Sequence, residues 1–345
     1  MTRKRKWVLR VSVVVVLGLG AAGTWAAMNL PDLKAAHTSR QLRAAGTDTE
    51  REVAADKLMA LGDPGITRLL DMIRTGDEPC RTAAAGAFRR HLDSLPDGEP
   101  RTVVVAGKLL DVFPSCDAGG QRVVLELLPT AMKKAGNTQT AKCREVVAAG
   151  LKMADPAARV LAARLAFHPD MKLRTDLMPL LTAPEAEVRR AALFAATTAA
   201  DGEHMIADEE LFHFLHDTDD GVRKVSRDAL VSRDRSETVI SLGRRLVDPD
   251  PLERLKLLLD LRYDDDVADP EPWLERLSRD PEPAVRAGAA RVAVEVAMSR
   301  KQNCPGWVGR VAETDESFTV RRIAAFFRKQ STTRVDPNVR PIDAP

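Results

Sequence analysis

The sequence predicts an all-α chain, a solenoid of stacked helix pairs, and three observations predict it. Aromatic residues make up only 4% of the 345 residues, while alanine, leucine and arginine recur throughout. That composition suits close helix-helix contacts better than strands, which favour β-branched and aromatic side chains. One short motif, an acidic and often proline-bearing turn running into an alanine-rich stretch with an arginine near its start, returns along the chain. Its copies lie 30 to 41 residues apart, a period near 34. Periods of that size mark quasi-one-dimensional arrays in which each unit buries its apolar face only against its neighbours.

The N-terminus stands apart from the array. Residues 1–10 hold Arg3, Lys4, Arg5, Lys6 and Arg10, and Val11 to Leu30 follow without a charge. As a helix these twenty residues span about 30 Å, the thickness of a bilayer's hydrocarbon core. Trp7 and Trp25 flank the run at about 27 Å, where interfacial anchors belong. The basic cluster marks the cytoplasmic side, so the expectation is a single-pass membrane protein with its array outside the cytoplasm. A cleaved signal peptide is the alternative, given the small residues of "AAGTWAA", and it too exports the body. The uncleaved anchor is favoured because the apolar run exceeds a usual signal core and Trp25 sits at the candidate cleavage sites. Gly18, Gly20 and Gly23 spell GxGxxG here, but no second strand ending in an acid follows, so a nucleotide site is not expected.

Five of the 52 basic residues belong to that leader and all 50 acidic residues come after it, so residues 31–345 are net −3. A body without a clustered positive field is a poor partner for a phosphate backbone, and nucleic-acid binding is not expected.

The array is expected over residues 38–330. Its clear copies are "DEPCRTAAAGA" at 77, "DPAARVLAARLA" at 155, "PEAEVRRAALFA" at 184, "DDGVRKVSRDAL" at 219 and "DPEPAVRAGAARVA" at 280. Weaker copies begin at 48, 117, 250 and 315. The arginines in register are Arg51, Arg81, Arg122, Arg159, Arg189, Arg223, Arg254, Arg286 and Arg321. Aspartate and proline suit a helix entrance, where the carboxylate accepts orphan N–H groups and proline loses no bond. Arginine there opposes the helix dipole, so its recurrence predicts a structural ladder in which each guanidinium bridges to a carboxylate or carbonyl of its own or the adjacent turn. The competing account is a solvated arginine, since exposed ion pairs contribute little. Within a unit, Trp273, Leu274 and Leu277 are expected to face Val285, Ala289, Val292 and Val296 at helical spacing.

These motifs resemble HEAT repeats of the short, alanine-rich kind also found in phycobilisome lyases. The resemblance covers nearly all of residues 38–330. It is strongest at Asp280–Ala293 and Asp155–Ala166, and it thins at Asp117, where glycines replace proline, and at Asp250, where Glu253 stands in the valine position. It implies about nine HEAT-like helix pairs, with the arginine-bearing helices on the concave side. The position five after each register arginine is expected to face away from the buried stripe. It reads Asp56, Gly86, Leu127, Arg164, Phe194, Asp228, Leu259, Arg291 and Phe326, with Arg190 and Arg322 beside the two phenylalanines. Arg190, Phe194, Arg291, Arg322 and Phe326 are therefore the candidate partner-binding residues, as aromatic and arginine side chains anchor interfaces.

Chemistry is sparse. Glu209, His213 and His216 fall on one face of a helix in "HMIADEELFHFLHDTDD", with Leu211, Phe214 and Leu215 opposite, which reads as a solvated face rather than a metal site. The lone Glu203–His204 pair reverses the order found in HEAT-like iron hydroxylases. No GxSxG, HExxH, P-loop or CxxC occurs. Cys80, Cys116, Cys143 and Cys304 read as buried thiols, although Cys80 and Cys116 precede register arginines of consecutive units and an exported body would let them pair. No cofactor, metal or catalytic residue is expected. The expected function is a membrane-tethered scaffold that binds a protein or peptide outside the cytoplasm, with a lyase-like or metal-dependent enzyme as the alternative. "QSTTRVDPNVRPIDAP", from Gln330, reads as a polar, proline-rich flexible tail over residues 331–345.

Overall fold

A computed structural model describes residues 30–168, 171–198, 205–263, 267 and 269–335, with side chains up to Ser331. The segment expected to cross the membrane, apart from Leu30, lies outside the described residues, as do Glu203, His204 and residues 336–345. The described residues are all-α, without a strand, and no helix among them is long and apolar enough to cross a membrane. The chain divides into two compact units, one ending at Met205 and the other starting at Ile206. The sequence period alone suggests one uninterrupted array and does not mark that division.

In the first unit, α1 covers residues 30–44, with Pro31 in its first turn, where a missing N–H costs nothing. It is followed by α2 (Asp48–Ala60), α3 (Asp63–Thr75), α4 (Glu78–Ser94), α5 (Pro100–Val112), α6 (Ala118–Ala135), α7 (Thr140–Leu151), α8 (Pro156–Ala166), α9 (Arg174–Leu177) and α10 (Ala186–Thr197). The even-numbered helices from α2 to α10 pack each on the next, and α3, α5 and α7 form a second row alongside. Between α8 and α10 the regular partner helix is replaced by the single-turn α9 and a 3-10 turn at Met178–Thr182.

The second unit holds α11 (Asp208–Phe214), α12 (Asp220–Ser232), α13 (Glu237–Leu246), α14 (Pro251–Tyr263), α15 (Glu271–Leu277), α16 (Pro283–Ser299), α17 (Gly306–Thr314) and α18 (Phe318–Val335). Here α14, α16 and α18 pack in turn, α15 lies against α14 and α16, and α17 lies against α16 and α18. Leu274, Leu277, Val285, Ala289, Val292 and Val296 share one buried cluster, with Trp273 packed at its margin. Residues 331–335 continue α18, with Ser331 buried, so a tail cannot begin at 331. Once the chain has committed to a helix, adding a residue gains a hydrogen bond at little cost, which carries α18 through the polar "STTRV".

Helix entrances follow the motif. Asp77, Asp117, Asp155 and Asp219 precede α4, α6, α8 and α12 and accept backbone N–H groups from their first turns. Thr47 and Glu50 close a capping box on α2. Every register arginine is the fourth residue of its helix except Arg122, which is the fifth residue of α6. That shift corrects one expectation. Five residues on from Arg122, Leu127 is fully buried instead of facing outward, because one extra residue turns the helix by about 100°.

Candidate functional site

Six of the nine register arginines donate to a carbonyl of the turn that precedes their helix. In α16, Nη1 of Arg286 donates to the carbonyls of Asp280 and Pro281 at 2.8 and 3.1 Å. Its Nε and Nη2 donate to the two carboxylate oxygens of Asp315 at 2.8 and 3.1 Å. Arg254 of α14 repeats the arrangement, with Nη1 on the carbonyls of Asp248 and Pro249 and a fork on Asp280 at 2.7 and 2.9 Å. Asp280 thus accepts from Arg254 through its carboxylate and from Arg286 through its carbonyl. Asp315 does the same for Arg286 and Arg321. The planar guanidinium, with five donors in a fixed fork, satisfies a turn and a carboxylate together.

The other register arginines make parts of this pattern. Arg51, Arg189 and Arg223 each donate to the carbonyl six residues back, on Ala45, Ala183 and Asp217. Arg223 also pairs with Asp220 of its own helix. Arg81 reaches the Asp117 carboxylate, and Arg159 reaches Glu185 at 2.9 Å. Arg122, one residue out of register, turns back to Glu78 at 3.0 Å and to Glu126. The carboxylates that complete these contacts were not singled out by the sequence, although Asp117, Asp280 and Asp315 are the acids that open the motif itself.

Burial separates the contacts. Arg286 and Asp315 are 6% and 7% exposed, whereas Arg51 faces an Asp48 that is 87% exposed. The Asp315 hydrogen bonds raise the Arg286 pKa against the opposing effect of burial, and Asp280 does the same for Arg254. In return, the Arg286 fork holds the Asp315 carboxyl below its ordinary value. A carboxyl depressed in the folded state contributes stability that is complete above its unfolded pKa, about 3.9, and is lost as pH falls through the folded value. Asp315→Asn is therefore expected to be less stable than the parent at pH 7, with the gap closing as pH falls below about 4. Urea midpoints between pH 7 and 3 measure this, and a gap independent of pH would show that ionisation of Asp315 is not its source.

A cleft of about 810 Å³ opens beside this stretch, lined among others by His213, Asp248, Arg254, Glu275, Arg276 and Asp280. Its charges are engaged with one another or with neighbours. Arg276 pairs with Glu209 at 2.9 Å, Arg279 with Glu275 at 3.1 Å, and Arg254 with Asp280. His216 places Nε2 2.7 Å from the Arg244 carbonyl. Glu209 and His216 are thus directed to different partners, and among the described residues no three His, Cys, Asp or Glu side chains are placed to hold a metal ion. The four cysteines are free thiols. Burial pushes Cys80, Cys116 and Cys143 up to about 11, leaving them poor nucleophiles.

The candidate partner-binding residues divide between the units. Phe194 is 49% exposed on α10, one turn from the half-buried Arg190. In the second unit, the Arg291 guanidinium lies 5.6 Å from the centre of the Phe327 ring, and Phe326 meets Phe327 edge to face at 5.3 Å. Phe327 thereby joins Arg291 and the exposed Phe326 into one patch. Arg322 is exposed on α18. Phe318, 67% exposed and 5.9 Å beneath the Arg321 guanidinium, belongs with the exposed aromatics. The position-five rule passes over it because it sits three residues before its arginine. No protein-family model and no curated protein matches the chain.

Proposed function

We propose that this chain is a HEAT-like α-solenoid scaffold, tethered by Val11 to Leu30, whose arginine-bearing helices bind a protein or peptide partner outside the cytoplasm. The observation that carries the reading is the exposure of Phe194 and Phe326, each five residues after a register arginine on helices that already bury a separate apolar stripe. Large aromatics that folding does not need to bury, set beside arginines, are the composition of interface anchors. The stepwise packing of the even-numbered helices from α2 to α10 and from α14 to α18, with the repeated arginine–turn contacts, supports the repeat reading. The enzyme alternative would draw on the cleft beside His213, but the mutual pairing of its charged lining favours a structural role for those residues.

Two experiments test the parts separately. A photo-crosslinking side chain at position 326 of the full chain, expressed in its own cells, should trap a discrete partner. With the crosslinker kept at 326, serine at Arg190, Phe194 and Arg291 together should abolish trapping while leaving helicity and melting midpoint nearly unchanged. Trapping that survives in a folded variant would refute the surface. For topology, a C-terminal reporter active only in an oxidising compartment should light up, and activity from a cytoplasmic reporter instead would place the body on the other side.

A further inference from the structure

Of the four register arginines of the second unit, two make both halves of the contact, Arg223 holds its preceding turn and pairs with Asp220 of its own helix, and Arg321 makes the first half alone. Arg254 and Arg286 each hold their preceding turn through Nη1 and fork onto an aspartate of the next turn. Arg321 makes the first half, donating Nη1 to the carbonyls of Asp315 and Glu316. Among the described residues no carboxylate meets its Nε or Nη2.

The helix carrying it has the matching exposed face. On α14, Leu255 and Leu258, one and four residues after the register arginine, point at α16, where a Cβ on Gly288 would come within 2.6 Å of Leu258. On α16 the same positions, Ala287 and Ala290, are buried. On α18 they are Arg322 and Ala325, and both are exposed. The α18 sequence, FTVRRIAAFFRKQSTTRV, has five basic residues and no acidic one. Phe318 and Phe326 add exposed aromatic surface to it.

We propose that this face of α18 docks a helix-opening acidic turn of a partner protein, whose aspartate supplies the fork acceptor for Arg321 while its helix lies over Arg322 and Ala325. The inference rests on the reading of the chain as a protein-binding scaffold and names the partner's chemistry. A basic, partly apolar face and an arginine with two open donors in a fixed geometry call for a carboxylate held by an N-terminal helical turn, as Asp280 and Asp315 are held in the rungs already formed.

The probe is a fluorescent peptide with the sequence of residues 280–299, which carries the Asp280 turn and its helix, titrated onto the full chain in detergent micelles. Saturable binding is expected, weakened roughly tenfold by Asp280→Asn in the peptide and by Arg321→Lys in the protein, the factor carried by one charge-assisted bond. Phe318→Ser and Arg322→Glu should weaken it as well. Equal binding of the Asp and Asn peptides, or none of either, overturns the proposal. Should Arg321→Lys fail to fold, the comparison of the two peptides decides alone. Tighter binding after removal of residues 336–345 would assign the site to the chain's own tail, and an Arg321-dependent dimer would assign it to a second copy. Either result overturns the partner assignment. Partner trapping at position 326 that persists when the peptide does not bind would leave the scaffold reading intact without this site.

Discussion

Arg286→Ala is expected to destabilise the second unit by about 3–5 kcal/mol, the cost of breaking a buried ion pair from one side. The substitution removes the fork from Asp315, whose side chain is 7% exposed. It also strips the Asp280 and Pro281 carbonyls of their donor at the entrance to α16. Much of the loss is the penalty of leaving the Asp315 charge unpaired in a poorly solvated place, so Asp315→Ala combined with Arg286→Ala should recover part of it. Arg279→Ala is the control. Its side chain is 75% exposed and pairs with Glu275 four residues back, and such contacts are worth about 0.5 kcal/mol or less. Arg276 would be an unsuitable control because it bridges to Glu209 of α11. At about 3 °C per kcal/mol for a unit of this size, the melting midpoint should fall by roughly 10 °C. Indistinguishable midpoints for Arg286→Ala and Arg279→Ala would return the register arginines to the solvated reading.

The arginine contacts were legible because their causes are local. An acidic, often proline-bearing turn and an arginine near the helix start recur at the entrances of the even-numbered helices, and the geometry that brings a guanidinium back over its own turn is built into six residues. The acceptor of the fork was less legible. Arg159 chooses Glu185 and Arg254 chooses Asp280, both 26 residues on, while Arg81 reaches Asp117 across 36 and Arg122 turns backwards to Glu78. Which carboxylate arrives depends on the length of the intervening helix pair, a tertiary quantity. The glycines at Asp117 read in the sequence as erosion of the motif, yet they accommodate it. A Cβ on Gly119 would sit 2.2 Å from Nη1 of Arg81, and one on Gly120 would sit 2.3 Å from the Ile73 carbonyl. The same stretch hides the one-residue shift that buries Leu127. On the candidate surface, exposure of Phe194 and Phe326 follows from helical phase alone. The contact between Arg291 and Phe327 joins residues 36 apart and carries no local signal.

Gly65→Ala should cost the first unit about 3 kcal/mol, the upper range for overpacking a core contact. Gly65 lies in the first turn of α3, against the end of α2, and a Cβ there would fall 1.7 Å from the Leu58 carbonyl oxygen and 2.6 Å from its carbon. Neither group has a flexible side chain that could yield. The Leu58 carbonyl accepts the Leu61 N–H at 3.0 Å and so helps to end α2, and the Leu58 side chain is fully buried. Relief therefore requires α3 to move outward, loosening Ile66, Leu69 and Ile73 from the core. Gly46→Ala supplies the comparison within the same unit. The nearest atom to its added Cβ is the Glu50 carboxylate at 3.8 Å, an ordinary contact, and its backbone is not left-handed. That change should be neutral, or stabilising by about 0.5 kcal/mol through the lower entropy of the unfolded chain. Urea denaturation followed by circular dichroism compares the two, and an equal midpoint would mean that α2 and α3 do not approach as closely as this contact requires.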